Sequence, residues 1–113
     1  MAGIRKEKYA SLIQKELGEY FIRDGATINP GTMVTVTVVR VTPDLGLAKV
    51  YLSFFGKLDK KEALSNVKDA KHEIRHELAK KIGKQVRVIP ELNFYVDDSL
   101  DYAEEVDNLL NKD

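Results

Sequence analysis

The chain contains no cysteine, which excludes disulfides, thiol catalysis and cysteine-ligated zinc. No apolar run reaches the about 18 residues needed to cross a bilayer. The opening stretch, "MAGIRKEKYASLIQ", lacks the apolar core of a secretion signal. From these absences we expect a soluble, cytoplasmic protein with no membrane partner. Repeats, linkers and low-complexity tracts are also missing, and 113 residues suit one domain. We therefore read residues 1–113 as a single domain.

Net charge is absent too, since 18 basic and 18 acidic side chains cancel. The cancellation hides a sorting along the chain. Residues 1–59 carry a balance of +2, residues 60–90 of +5, and residues 91–113 of −7. A polyanion responds to the local field and not to the total, so the basic middle is the segment to examine.

Residues 4–23 place Tyr9, Leu12, Ile13, Leu17, Tyr20 and Phe21 on one stripe at helical spacing. "DGATINPGT" then reads as a loop, broken by Gly25 and by Asn29-Pro30-Gly31. "MVTVTVVRV" alternates Val34, Val36 and Val38 against threonines, a strand with one face to a core. Its parity slips at Val39 and Val41, which suggests a bulge. In "TPDLG", Pro43 suits the second position of a turn and Gly46 is free to take positive φ. "LAKVYLSFF" follows with Ala48, Val50, Leu52 and Phe54 on one side, so an antiparallel hairpin is expected.

Asp59 and Glu62 then make an N-cap pair. Ala63, Leu64, Val67, Ala70, Ile74, Leu78 and Ile82 continue a helical stripe as far as Gly83. About 24 helical residues would span about 36 Å, longer than strands of about nine residues. The rod must kink or overhang, and no glycine or proline inside it marks a break. "QVRVIPELNFYV" reads as a third strand with Val86, Val88, Leu92, Phe94 and Val96 inward. Pro90 inside it argues for an edge or bulged strand. A last helix follows, capped by Asp98 and Asp101, with Leu100, Ala103, Val106 and Leu110 as its stripe. The order is α-β-β-α-β-α.

His72-Glu73-Ile74-Arg75-His76 matches the H-E-x-x-H zinc signature letter for letter. A zinc site needs a third ligand, and the chain has only these two histidines. At about 100° per residue, both sit about 160° from Ile74, opposite the apolar stripe. We read the match as a decoy on a solvated face and expect no metal and no cofactor. Asp97, Asp98 and Asp101 are explained by capping. No nucleophile–base pair and no glycine-rich loop after a strand is present, so no catalytic residue is assigned.

The same wheel places Lys68, Lys71 and Arg75 on one flank, with His72 beyond them, and Asp69, Glu73 and Glu77 on the other. Lys80, Lys81, Lys84 and Arg87 are expected to extend the positive potential toward the third strand. Several long cations on one surface suit phosphate contacts; they equally suit a face that only keeps the protein soluble. No run of exposed aromatics suggests base stacking; Tyr51, Phe55 and Tyr95 could lie on the outer sheet face, and we read them as partial core.

Taken together in this order, "VTPDLGLAKVYLSFF" and "RVIPELNFYVDDSLDY" resemble ribosome-binding factor A, a bacterial factor for maturing the small ribosomal subunit. The helix with "IQKEL" and the terminal "VDNLL" fit the same pattern over residues 5–110. The resemblance implies an α+β, type II KH-like fold, α-β-β-α-α-β plus a C-terminal helix, with a mixed three-stranded sheet and helices on one face. It implies a monomer that binds the small subunit and its 16S rRNA in late maturation, near the RNA's maturing ends, with a role in growth in the cold and no small-molecule substrate. It implies no enzymatic activity, and it makes the flank of Lys68, Lys71, His72, Arg75, Lys80, Lys81, Lys84 and Arg87 the RNA-facing one. Family members usually break the helix pair at Ala-x-Gly; here that tripeptide is Ala70-Lys71-His72. Two readings of other classes stand beside this one: a small zinc metalloenzyme at residues 72–76, and a protein-only interaction module using the acidic segment 98–113.

Overall fold

The computed structural model describes residues 5–97. Helix α1, Lys6–Ile28, buries Tyr9, Ile13, Leu17, Tyr20 and Phe21, the stripe that the three- and four-residue spacing predicts. It runs five residues beyond Arg23, through a glycine that reads as a break. Gly25 is buried against β1 (Thr32–Val41), where an added Cβ would lie 3.9 Å from Val34. That is ordinary van der Waals distance, so the helix passes through Gly25 with room for a methyl group. The helix stops at Asn29-Pro30, and the Asn29 N–H closes the last turn on the Gly25 carbonyl at 2.8 Å.

Strand β1 pairs antiparallel with β2, Leu47–Gly56, and the register shifts between Val36 and Val38. The bulge returns Val39 and Val41 to the buried face that Val34 and Val36 occupy. In the connecting turn the Leu45 N–H reaches the Thr42 carbonyl at 2.8 Å, with Pro43 in the expected second position. Positive φ falls on Leu45 at 62°, not on Gly46 as its flexibility suggests. The Asp44 carboxylate accepts the Gly46 N–H at 3.0 Å and the Gly46 carbonyl accepts Glu91 N–H at 2.9 Å, so Gly46 is already held. Leu45 packs partly buried against the core, which offsets a left-handed cost of roughly 1–2 kcal/mol.

The central rod is two helices, α2 (Lys60–Asp69) and α3 (Lys71–Ile82), and the break between them resolves the length mismatch. Asp59 caps α2 by accepting the Lys61 N–H at 3.1 Å. The corner residue, Ala70, sits at φ −92°, ψ 8°. That bridge conformation is open to any L-residue, so no glycine is required. Ala63, Val67, Ile74, Leu78 and Ile82 turn inward from both helices. The buried Asn29 ties the end of α1 to α2, donating to the Ala63 carbonyl at 3.2 Å and accepting from the Asn66 side-chain amide at 2.9 Å.

Strand β3, Glu91–Val96, runs parallel to β2 on its other side, giving a mixed sheet ordered β1-β2-β3. The strand is shorter than its apolar pattern suggests. Pro90 precedes it instead of lying within it, and Val88 is 47% exposed instead of facing the core. Because proline cannot donate to a ladder, pairing begins only after it. The expected edge position is the observed one. The helices pack on the face carrying Val34, Val50, Leu52, Leu92 and Phe94. The resulting architecture is α+β. The expected C-terminal helix, with Asp98, Asp101 and the stripe from Leu100 to Leu110, lies outside the described residues.

Candidate nucleic-acid interface

The break at Ala70 ends α2 just after Lys68 and starts α3 at Lys71. Both lysines stand beside β3, whose outer edge is unpaired among the described residues. Lys68 and Lys71 line a concavity of about 400 Å³ together with Leu92, Asn93, Phe94 and Tyr95. The Lys71 Nζ lies 3.5 Å from Asn93 Oδ1. Among the described residues this lining holds two cations and no carboxylate. The strand edge adds outward backbone polar groups, which suit a hydrogen-bonding ligand more than an apolar one.

The other cations of the basic segment are distributed differently. Arg75 turns onto the segment that leads into β3, where its Nε donates to the Pro90 carbonyl at 3.0 Å and its Nη2 to the Ile89 carbonyl at 2.6 Å. Its Nε also lies 3.8 Å from the Glu91 carboxylate. This guanidinium clamps α3 to the start of β3. Lys80 and Lys81, expected to point toward the third strand, instead line a concavity of about 550 Å³ between α1 and α3, with Tyr20, Arg23, Asp24, Glu73 and Glu77. Residues three, four and seven apart share a helix face, which puts Lys80 and Lys81 over Glu73 and Glu77. Lys80 Nζ is 3.3 Å from the Glu77 carboxylate. Burial, and then the charges of Glu73, Asp24 and Glu77, raise the Tyr20 phenol above its usual pKa, against a smaller opposing effect of Arg23. Lys84 and Arg87 are exposed in the connection between α3 and β3.

His72 and His76 are both exposed, as the helical wheel requires. Among the described residues no three histidine or carboxylate groups stand together as metal ligands. No described helix is long and apolar enough to cross a membrane.

Three aromatic residues read as partial core lie on the sheet face away from the helices. Phe55 is 78% exposed and Tyr95 37%. The Tyr51 and Tyr95 rings stack with centroids 5.2 Å apart at 28°. The signal was in the alternation: Phe55 and Tyr95 each follow a buried phenylalanine, Phe54 and Phe94, and so must point the other way. Asn93 has the same parity and was missed for the same reason.

A family model described as Ribosome-binding factor A matches residues 5–110, nearly all of the chain. The chain belongs to the ribosome-binding factor A family. The ribosome-binding factor A of Cytophaga hutchinsonii is 41% identical over 112 residues, covering 99% of this chain and 84% of that protein. A counterpart from Chlorobium phaeobacteroides is 43% identical, covering 95% and 91%. Among solved structures, ribosome-binding factor A from Thermus thermophilus superposes with a TM-score of 0.66 at 22% identity, covering 82% of this chain and 97% of that one. A homology model of the Thermus thermophilus factor, fitted into a cryo-EM map of a 30S complex with it, has a TM-score of 0.64 at 24% identity, covering 76% and 88%. At those identities the structural likeness establishes the fold.

Proposed function

We propose that this protein, acting as a monomeric single domain, binds the small ribosomal subunit through its 16S rRNA and assists maturation without performing chemistry. The observation that carries the reading is the concavity at the helix corner, where, among the described residues, Lys68 and Lys71 face the unpaired edge of β3 with no carboxylate in the lining. Family membership supports it, as does the related Thermus factor whose homology model was fitted into a 30S complex map. We place the binding late in assembly, near the rRNA ends still being processed, with a consequence for growth in the cold. The contacts we assign are Lys68 and Lys71, with His72, Lys84 and Arg87 at the periphery. Arg75 leaves the set because it holds carbonyls of the protein itself, Lys80 because it pairs with the Glu77 carboxylate, and Lys81 because it lines the other concavity, beside Glu73 and Glu77.

Sedimentation with free small subunits and with whole ribosomes, repeated across salt concentrations, tests this. Each phosphate contact contributes about 0.7–0.9 to the log–log salt slope. Lys68→Gln with Lys71→Gln should weaken binding and flatten the slope by roughly 1.4–1.8. An unchanged slope removes the concavity from the interface.

A further inference from the structure

We infer that the Tyr51–Tyr95 ring pair is a stacking platform for an unpaired RNA base, so that the segment held at the concavity is single-stranded. The inference rests on the RNA reading of Lys68 and Lys71 and adds the kind of RNA they hold. Tyr95 is shared by both features: its ring stacks on Tyr51 on one side, and the residue lines the concavity that contains the two lysines. A strand with a phosphate on Lys68 or Lys71 therefore carries its base toward an exposed aromatic ring. The ring is already fixed by its neighbour, so little side-chain freedom is lost when a base adds to the stack.

The neighbouring residues fit a nucleotide better than an apolar partner. Register pairs Tyr51 with Tyr95 and, two residues back, Lys49 with Asn93 on the same sheet face. Lys49 is exposed and adds a third cation next to the rings. Asn93 presents an amide, which both donates and accepts and so can meet a base edge. Cations beside an aromatic pair are a feature of single-strand binding surfaces, in which the groove follows phosphates and rings hold bases. Here they lie on the Asn93 side of the rings, and on the other side the Asp97 carboxylate is held by the Thr37 hydroxyl. A duplex buries its base faces in its own stack and offers none to a tyrosine.

The pair also has a purely structural reading, a cross-strand aromatic contact that steadies the sheet. Binding of a short unstructured uridine-rich RNA, compared with a duplex of equal length, separates the two. The chain has no tryptophan, so its intrinsic emission is tyrosine, and stacking a base on Tyr95 should quench it in the unaltered protein. Tyr95→Leu should lose about five- to 150-fold in single-strand affinity, the range for one stacked base. It should also lose most of the quench, while Tyr95→Phe restores affinity. If the unaltered protein shows no quench on binding, if the duplex binds as well as the single strand, or if Tyr95→Leu binds as before, the platform is refuted. Should Tyr95→Leu bind normally while the Lys68/Lys71 double variant fails, only the platform falls and the proposed function stands. Loss in neither removes both.

Discussion

Arg75 is the residue on which spacing along the chain and position in the fold disagree most sharply. Spacing puts it among the RNA contacts; the structure spends its guanidinium on the Ile89 and Pro90 carbonyls. Consider Arg75→Gln. Two charge-assisted hydrogen bonds would be worth about 1.5–3 kcal/mol each if fully buried. The side chain is 40% exposed and its carboxylate partner Glu91 62% exposed. The carbonyls can then rehydrate and the ion pair adds about 0.5 kcal/mol or less, so the net loss is about 1–3 kcal/mol. At about 4 °C per kcal/mol for a domain of this size, the melting temperature should fall by about 4–12 °C. The salt slope of subunit binding, measured where the variant remains folded, should stay the same. Lys68→Gln should show the reverse, a slope lower by about 0.7–0.9 with little change in melting. Arg75→Lys sharpens the contrast, because it keeps the charge but cannot span two carbonyls as a planar fork. It should melt nearly as low as Arg75→Gln. A variant that keeps its melting temperature but loses salt slope would show Arg75 on a phosphate and refute the clamp.

Two further outcomes follow from the backbone and from burial. Gly56 sits at φ 147°, and a Cβ there would lie 2.2 Å from the Gly31 carbonyl oxygen and 2.6 Å from the Thr32 Cα. Gly56→Ala should therefore cost more than about 3 kcal/mol in denaturant unfolding, since backbone has to move to relieve the clash; a loss below about 1 kcal/mol would overturn this. The raised phenol of Tyr20 favours the neutral ring in the folded state. Its contribution is intact below the unfolded value near pH 10 and is lost as pH rises through the higher folded value. Tyr20→Phe should flatten the alkaline limb of the stability profile, and parallel limbs in the two proteins would contradict it.

The parts of the fold legible in the chain are those set by periodicity within one element. Alternation marked the buried face of β2 and that of β1 as far as Val36, and the parity slip at Val39 marked a real bulge, which leaves Val38 half-buried. Three- and four-residue spacing did the same for α1, α2 and α3. What escaped depends on a neighbour or on a conformation open to every residue. Gly25 reads as a stop until β1 is known to lie against it, and Pro90 reads as strand until pairing is seen to begin after it. Ala70 reads as helix because the bridge region carries no residue signature. Arg75 and Lys80 show the same limit at the candidate site. A helical wheel gives the direction in which a side chain leaves, but not which carbonyl or carboxylate waits there. Charge counting therefore selected eight residues, while geometry leaves Lys68 and Lys71 together in one concavity.

The corner without glycine has a consequence for how phosphate is held. Where glycine occupies a tight turn, backbone N–H groups can approach a phosphate directly, with no Cβ in the way. Here the corner is Ala70-Lys71-His72, so on the proposed reading an approaching phosphate would meet side chains first, the Lys71 ammonium among them. An ammonium on a flexible stem is a point charge and not a fixed cradle. On the proposed reading, RNA held in this way would have little register along its backbone. Orientation must then come from groups fixed by the sheet, and the residues so fixed at this concavity are Asn93 and the Tyr51-backed ring of Tyr95. His72→Gly should accordingly leave the salt slope near that of the unaltered protein, because the cation we assign to the phosphate, Lys71, is one residue earlier.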